Sequence, residues 1–264
     1  MKYKPAKEAF TAQSDIFDST YSSSLITNYK RKRVRAMMNK ILPSKADILE
    51  INAGTGEDAI YFAQKGHKVH ATELSDGMFK NLNQKVKTKG LKDQISTEQL
   101  DYHNLKDSNQ NKYDVIFSNF GGLNCTNKIA EVLKQMPPYL KEGGKICLTI
   151  MPPLSLWEWL SIFKGNFKLA LRRFKKNGTK SHIEGKYFLS WYHKPKTIQK
   201  ILAKECNLME LEGLCVFAPP VHYERHFIKY EGIFNFLVSL EEKLCRIYPF
   251  NSIGDYYIIV LEKK

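Results

Sequence analysis

Short apolar runs alternate with segments of helical periodicity through the middle of the chain. The runs are rich in β-branched and aromatic residues and predict strands at Asp47–Ile51, Lys68–Thr72, Ile95–Leu100, Tyr113–Ser118 and Lys145–Met151. The segments between them predict helices at Glu57–Lys65, Gly77–Lys89 and Ile129–Leu140. This alternation predicts an α/β fold, in which a mostly parallel sheet carries helices on both faces.

The alternation stops on either side of this region. Before it, Ser24–Leu42 predicts one or two amphipathic helices that end at Pro43. After it, Pro152-Pro153 begins an aromatic and basic stretch that we interpret as an α-rich insertion. The pattern then resumes with a helix, a strand, a second helix and a final buried strand at Thr197–Cys206, Met209–Phe217, 231–247 and Tyr256–Leu261.

A loop with two glycines follows the first predicted strand. It ends in Asn52-Ala53-Gly54-Thr55-Gly56, and glycines there let the backbone turn sharply and approach a ligand closely. The segment Gly54–Ala59 also satisfies the GxGxx(G/A) pattern of dinucleotide-binding proteins, so NAD is one alternative ligand. Acids on both sides of the loop, Glu50 and Glu57-Asp58, would repel a pyrophosphate. They suit a ligand with a positive end, such as the sulfonium and ammonium groups of S-adenosylmethionine.

The next two strands also end in acids. Glu73 can accept hydrogen bonds from both hydroxyls of a ribose, and Asp101 can accept one from an adenine amino group, with Tyr102 packed beside the ring. Each acid can also be interpreted as a helix N-cap or a surface residue. We favour the ligand roles because open α/β sheets bind ligands at the carboxyl ends of adjacent strands.

Together these motifs resemble the class I S-adenosylmethionine-dependent methyltransferases. The resemblance rests on Glu50–Gly56, Glu73, Asp101, Tyr113–Ile116 and Leu140–Gly144, and it covers residues 40–151 in detail. It implies a Rossmann-like sheet of seven strands, mostly parallel with an antiparallel last strand. It also implies S-adenosylmethionine as cofactor, bound by Glu50, Asn52, Ala53, Gly54, Gly56, Glu73, Leu74, Asp101, Tyr102 and Asn119. Asn52 departs from the family, which usually has glycine there, but asparagine tolerates left-handed backbone angles.

Four parts follow from the pattern and the resemblance. They are an N-terminal helical lid (1–45), the cofactor-binding core (46–151), an aromatic and basic cap insertion (152–195) and the C-terminal part of the core (196–264). The insertion interleaves Trp and Phe with Lys and Arg, which suits a membrane interface or an apolar substrate tunnel. The alternative is a cap whose apolar face packs on the domain.

Composition bears on partners and compartment more than on the fold. The net charge of +14 favours nucleic acid, a membrane surface or an acidic substrate as partner, although a Lys-rich solvated surface is equally compatible with it. The five cysteines form no CxxC pair, and no His-x-x-His spacing or carboxylate cluster predicts a metal site. A reducing, cytoplasmic setting is expected, because neither a signal-peptide core nor a transmembrane run is recognisable.

Several functions are open at this level. The first is methyl transfer from S-adenosylmethionine to a small, lipid-like or acidic molecule by in-line SN2 attack, with His193 and His222 as candidate general bases and the N-terminal helices and insertion as a lid. The second is an RNA methyltransferase, which the charge favours and the lack of a recognisable RNA-binding appendage opposes. The third is a catalytically degenerate binding module at a membrane surface. An NAD-dependent oxidoreductase is the fourth. The sequence leaves the oligomeric state open.

Overall fold

The described part of the chain contains nine strands and ten α-helices, with short 3₁₀ helices between some of them. The structure, a computed structural model, describes residues 4–109, 111–227 and 229–264. The strands are β1 (Asp47–Ile51), β2 (Lys68–Glu73), β3 (Ile95–Gln99), β4 (Tyr113–Ser118), β5 (Leu140–Ile150), β6 (Thr179–Ile183), β7 (Lys186–Ser190), β8 (Cys206–Leu214) and β9 (Tyr256–Lys263). The helices are α1 (Lys4–Ser22), α2 (Leu25–Ile41), α3 (Glu57–Gln64), α4 (Asp76–Thr88), α5 (Ile129–Leu133), α6 (Leu156–Trp159), α7 (Phe167–Leu171), α8 (Pro195–Leu202), α9 (Glu224–Phe227) and α10 (Glu231–Leu244).

Seven of the strands form one sheet, in the order β3-β2-β1-β4-β5-β9-β8. Neighbouring strands from β3 to β5 pair in parallel, whereas β9 pairs antiparallel with both β5 and β8. The predicted seven-stranded, mostly parallel Rossmann-like sheet is therefore confirmed, including its antiparallel last strand. Its topology brings the carboxyl ends of β1, β2 and β4 to one edge of the molecule, beside the end of β3.

Both faces of the sheet are buried under helices. Along β4, Ile116 joins a core cluster that contains α5 and α8 residues, whereas Val115 and Phe117 join a second cluster with α2, α3 and α4 residues. This alternation is expected, because successive strand side chains point to opposite faces. A strand covered on both faces has to be apolar throughout, which explains the continuous apolar runs of the sequence.

Two features differ from the sequence predictions. The predicted helix Ile129–Leu140 ends at Leu133, because Pro137 and Pro138 lack the N–H that would continue it. The insertion contains, besides its short helices, an antiparallel hairpin of β6 and β7 that the sequence analysis did not predict. Its turn residues, Glu184 and Gly185, both have positive φ angles, as a two-residue hairpin turn requires.

Helix α1 lies across the carboxyl edge of the sheet and packs on α4 and on the hairpin. Its Phe10 ring lies 5.7 Å from that of Phe188, and Asn81 donates a hydrogen bond to the Ser14 carbonyl. Gly77 allows this close approach, because a Cβ there would lie 2.2 Å from Ser14 Oγ. In the described part of the chain, no helix is both long enough and apolar enough to cross a membrane.

Candidate active site

A cavity of about 410 Å³ lies at the carboxyl edge of the sheet. The loops after β1, β2, β3 and β4 form its floor, and α1, α2 and the β6–β7 hairpin cover it. Nine of the ten predicted cofactor residues line this cavity: Glu50, Asn52, Ala53, Gly54, Glu73, Leu74, Asp101, Tyr102 and Asn119. The tertiary structure therefore collects residues that are up to about seventy positions apart in the sequence.

Gly56 is the predicted residue that is not among those lining the cavity. It precedes α3 with a φ of 82°, and a Cβ there would lie 2.3 Å from Leu82 Cδ1. Glycine is required at this position for the turn and for helix packing. Gly56 therefore shapes the loop rather than the cavity wall.

Asn52 adopts the left-handed backbone conformation that glycine usually supplies at this position, and contacts of its side chain support that conformation. Its φ is 52°, in the left-handed region that asparagine tolerates. Its Oδ1 accepts a hydrogen bond from Ser118 Oγ at 2.9 Å, and its side chain lies against Gly122, where an added Cβ would be 2.4 Å from Asn52 Cγ. The loop therefore forms without glycine at this position, with Gly122 providing the space.

The Glu73 carboxylate is held in place by the loop above it. The backbone N–H groups of Gly54 and Ser75 each donate to it at 2.8 Å. Burial raises the pKa of Glu73, and these hydrogen bonds oppose the rise. The carboxylate is thus oriented before any ligand binds, with both oxygens still able to accept further hydrogen bonds.

Asp101 is oriented by a histidine two residues later. Both the backbone N–H and the Nδ1 of His103 lie within hydrogen-bond distance of Asp101 Oδ1, at 2.9 and 2.6 Å, and His103 Nε2 lies 2.9 Å from Thr126 Oγ1. Burial would raise the pKa of Asp101, but the contacts with His103 outweigh it, so the pKa is lowered. An ionised carboxylate results, whose Oδ2 is left as an acceptor by these contacts.

A cluster of charged residues lies beneath the first loop. Glu50 is 3% exposed and its Oε2 has no hydrogen-bond partner among the described residues. Asp58 is better satisfied, since Arg35 Nε donates to one of its oxygens at 2.7 Å and Asn119 Nδ2 to the other at 2.8 Å. Burial, followed by the neighbouring Asp58 carboxylate, raises the pKa of Glu50 well above its usual value.

Arg31 of α2 brings an opposite charge to the same cavity. Its Nε is also buried without a hydrogen-bond partner among the described residues, and it lies 3.8 Å from Asp58 Oδ1. Its guanidinium lies over the Phe120 ring at 5.5 Å from the centroid. Sequence analysis missed Arg31, because one basic residue in a Lys- and Arg-rich helix carries no local signal. The cavity thus combines an unpartnered carboxylate oxygen with an unpartnered guanidinium nitrogen.

Helix α1 and the hairpin line their part of the cavity with more apolar than polar side chains, whereas α2 adds Thr27, Lys30 and Arg31. Helix α1 contributes Phe10, Phe17 and Tyr21, and the hairpin contributes Ile183 and Phe188. Buried polar groups need partners to offset their lost hydration, so this wall favours an apolar ligand part.

Neither predicted general base lines the cavity. Burial lowers the pKa of His193 to about 4, and its Nε2 has no hydrogen-bond partner among the described residues. Burial also lowers the pKa of His222, whose ring packs 4.3 Å from that of Tyr223. This geometry gives no support to their role as general bases, which stays a prediction.

Comparison with known proteins agrees with this architecture. Residues 48–144 match the family described as methyltransferase domain, and no curated protein matches the chain. Among solved structures, the CcbJ methyltransferase of Streptomyces caelestis is 16% identical, with a TM-score of 0.62 over 97% of this chain and 98% of that one. Phosphoethanolamine N-methyltransferase 2 of Haemonchus contortus is 17% identical, with a TM-score of 0.59 over 88% of this chain and 52% of that one.

At these identities the structural likeness concerns the fold. The magnesium protoporphyrin IX methyltransferase of Synechocystis shares it as well, at 14% identity and a TM-score of 0.56 over 90% of this chain and 83% of that one. The family match identifies residues 48–144 as a methyltransferase domain, and the chain has the fold of the class I S-adenosylmethionine-dependent methyltransferases. The family match favours methyl transfer over the NAD-dependent alternative.

Proposed function

We propose that the protein transfers the methyl group of S-adenosylmethionine to a small, largely apolar molecule. The observation that carries the proposal is the pairing of two walls in one cavity. One wall holds the oriented carboxylates of Glu73 and Asp101, together with Glu50 and Arg31, each of which has one buried polar atom without a hydrogen-bond partner among the described residues. The other wall is mostly apolar. A zwitterionic cofactor and an apolar acceptor match these two walls.

Each cofactor group has a partner of suitable chemistry in this assignment. Glu73 accepts from the ribose hydroxyls, and Asp101 accepts from the adenine amino group, with Leu74 and Tyr102 beside the ring. Glu50 attracts the positive ammonium and sulfonium end, and Arg31 binds the carboxylate. Backbone groups of Asn52, Ala53 and Gly54 approach the ligand at the loop.

The methyl group moves by in-line attack of the acceptor, which forms a bond to carbon as the carbon–sulfur bond breaks. The cavity supplies position and exclusion of water rather than a base. Burial raises the pKa of Cys125 to about 12 and also raises the pKa of Tyr256, so both stay protonated at neutral pH. Neither group therefore serves as a base, and the proposal assigns an acceptor atom that needs no deprotonation, such as a neutral amine or an anionic oxygen.

Calorimetric titration with S-adenosylmethionine and with S-adenosylhomocysteine tests this assignment, with NAD as the negative control. We expect binding of both, and Glu73→Ala should weaken it at least about tenfold, a loss of roughly 1.4 kcal/mol. Glu142→Ala, at a side chain that is 84% exposed, is the matched control and should bind as the unaltered protein does. Failure of the folded protein to bind either ligand would favour the degenerate binding module.

RNA as the methyl acceptor is the second candidate, supported by the net charge of +14. Binding driven by phosphate contacts weakens steeply as salt concentration rises. Titration of RNA at several salt concentrations, with and without S-adenosylhomocysteine, separates the two candidates. Only an RNA methyltransferase is expected to bind RNA more tightly when S-adenosylhomocysteine is present.

A further inference from the structure

We propose that the protein docks on an anionic lipid bilayer through the exposed side chains of residues 159–176, which we call the insertion surface. The proposal is independent of the methyl acceptor and of cofactor binding. It rests on the exposure, the charge and the anchoring of this segment.

The insertion surface exposes large apolar side chains to solvent. Phe163 is 88% exposed and Phe167 is 60% exposed, and the others with more than two fifths exposed are Trp159, Leu160, Leu171 and Phe174. In the same segment Ser161, Ala170 and Arg173 are buried against the rest of the protein. Phe163 and Phe167 therefore leave most of their surface unpacked, and the other four leave about half of theirs, which a simple cap would bury. Clusters of exposed apolar side chains typically mark protein or membrane interaction sites.

The charge of the segment selects the kind of partner. Lys164, Lys168, Lys175 and Lys176 are all exposed, and no acidic residue occurs between Trp159 and Ile183. The preceding acid, Glu158, is buried and neutralised by Arg172 and Arg173 at 2.7 Å. The exposed face is therefore cationic as well as apolar. Basic residues beside Trp and Phe are the composition of segments that lie in the interface of anionic membranes.

Other occupants match this surface less well. A second copy of the chain would bring the same lysines against each other in a two-fold interface, so like charges would repel. Single-stranded nucleic acid can stack bases on aromatic rings, but it offers no apolar surface that would cover the exposed aliphatic side chains of Leu160 and Leu171. A bilayer with anionic headgroups accommodates both the aliphatic side chains and the lysines.

The surface is also held rigidly on the core. Arg173 is 5% exposed, and its guanidinium donates to the Pro152 carbonyl at 3.2 Å and to Asp255 Oδ1 at 3.1 Å. The Trp157 ring packs against the Phe227 ring with 5.6 Å between their centroids, and Trp157 Nε1 donates a hydrogen bond to the Phe217 carbonyl at 3.2 Å. Binding of the insertion surface to a bilayer would therefore attach the whole protein to that bilayer.

Sedimentation of the full chain with lipid vesicles tests the proposal. Vesicles of phosphatidylcholine alone are compared with vesicles that also contain phosphatidylglycerol. We expect binding to the anionic vesicles that weakens as salt is added. Phe163→Ser/Phe167→Ser should weaken it at least about tenfold, whereas Phe236→Ser, at a residue of α10 that is 66% exposed, should leave it unchanged.

A second pair of variants tests the charge. Lys164→Glu/Lys168→Glu should abolish binding to anionic vesicles, whereas Lys89→Glu/Lys92→Glu changes the net charge equally at exposed lysines of another surface and should have a smaller effect. Calorimetry with S-adenosylhomocysteine on each variant reports whether the site is intact, so a failure of cofactor binding is distinguished from a failure of docking.

Three outcomes would overturn the proposal. One is unchanged vesicle binding in the phenylalanine variant. Another is self-association measured by light scattering that the same variant abolishes, with no vesicle binding. The third is RNA binding that depends on these phenylalanines, again without vesicle binding.

Discussion

Asn52 demonstrates how one side chain can replace the conformational freedom of glycine. Its left-handed backbone is supported by the hydrogen bond from Ser118 Oγ and by the space above Gly122. The compensation is therefore distributed over two loops, those that follow β1 and β4. Neither loop alone reveals from its sequence that Asn52 is acceptable.

Replacing Asn52 with alanine is expected to lower the free energy of unfolding by about 1–2 kcal/mol, because alanine disfavours left-handed angles and loses the hydrogen bond. Glycine also loses the hydrogen bond but adopts a positive φ angle without strain. Asn52→Gly should therefore be less destabilised than Asn52→Ala. Denaturant unfolding of the three proteins measures the difference. A glycine variant that is less stable than the alanine variant would refute the backbone argument.

Glu50 links cofactor binding to pH. Burial and then the Asp58 carboxylate raise the pKa of Glu50 in the unliganded protein, whereas a bound cation favours the ionised form. Cofactor binding is therefore expected to release a proton and to tighten as pH rises above the ordinary carboxyl range. Calorimetry in two buffers of different ionisation enthalpy measures the release. Glu50→Gln should eliminate it, and release that persists in this variant would assign the proton to another group.

At the scale of elements, buried ion pairs attach the insertion to the core. Asp255, which precedes β9, contacts Lys30 of α2 and Arg173 of the insertion, and Arg173 also contacts Glu158. Burial opposes ionisation of Asp255, but the two cations prevail and lower its pKa to about 2. Three segments distant in sequence thus share one charge network.

Asp255→Asn is expected to destabilise the protein by about 3 kcal/mol, because it leaves two buried cations short of a counter-charge. The ordinary pKa is 3.8, so the stabilisation is complete above about pH 4 and is lost as pH falls towards 2. Denaturant unfolding across this pH range checks both statements. Glu142→Gln removes the exposed pair with Lys263 and should cost much less, because solvent screens exposed ion pairs. Equal losses in the two variants would contradict the role of burial.

At the scale of the whole molecule, the cavity depends on elements that come together only in the fold. Helix α1 and the hairpin supply the apolar wall, and the strand ends supply the polar one. Among the exposed apolar side chains, those of residues 159–176 form a group with lysines rather than lying singly. The proposed cofactor site, the proposed acceptor wall and the insertion surface thus belong to different parts of the chain, which one sheet brings together.

The sequence by itself determined the order of strands and helices around the cofactor loop and nine of the residues that line the cavity. These are local properties, since periodicity and loop motifs depend on residues within a few positions of each other. Tertiary structure alone decided that Arg31 lines the same cavity as Glu50, that α1 and the hairpin cover it, and that His193 and His222 stay outside it. Such contacts join residues far apart in the chain, and long-range packing, rather than local pattern, determines which of them meet.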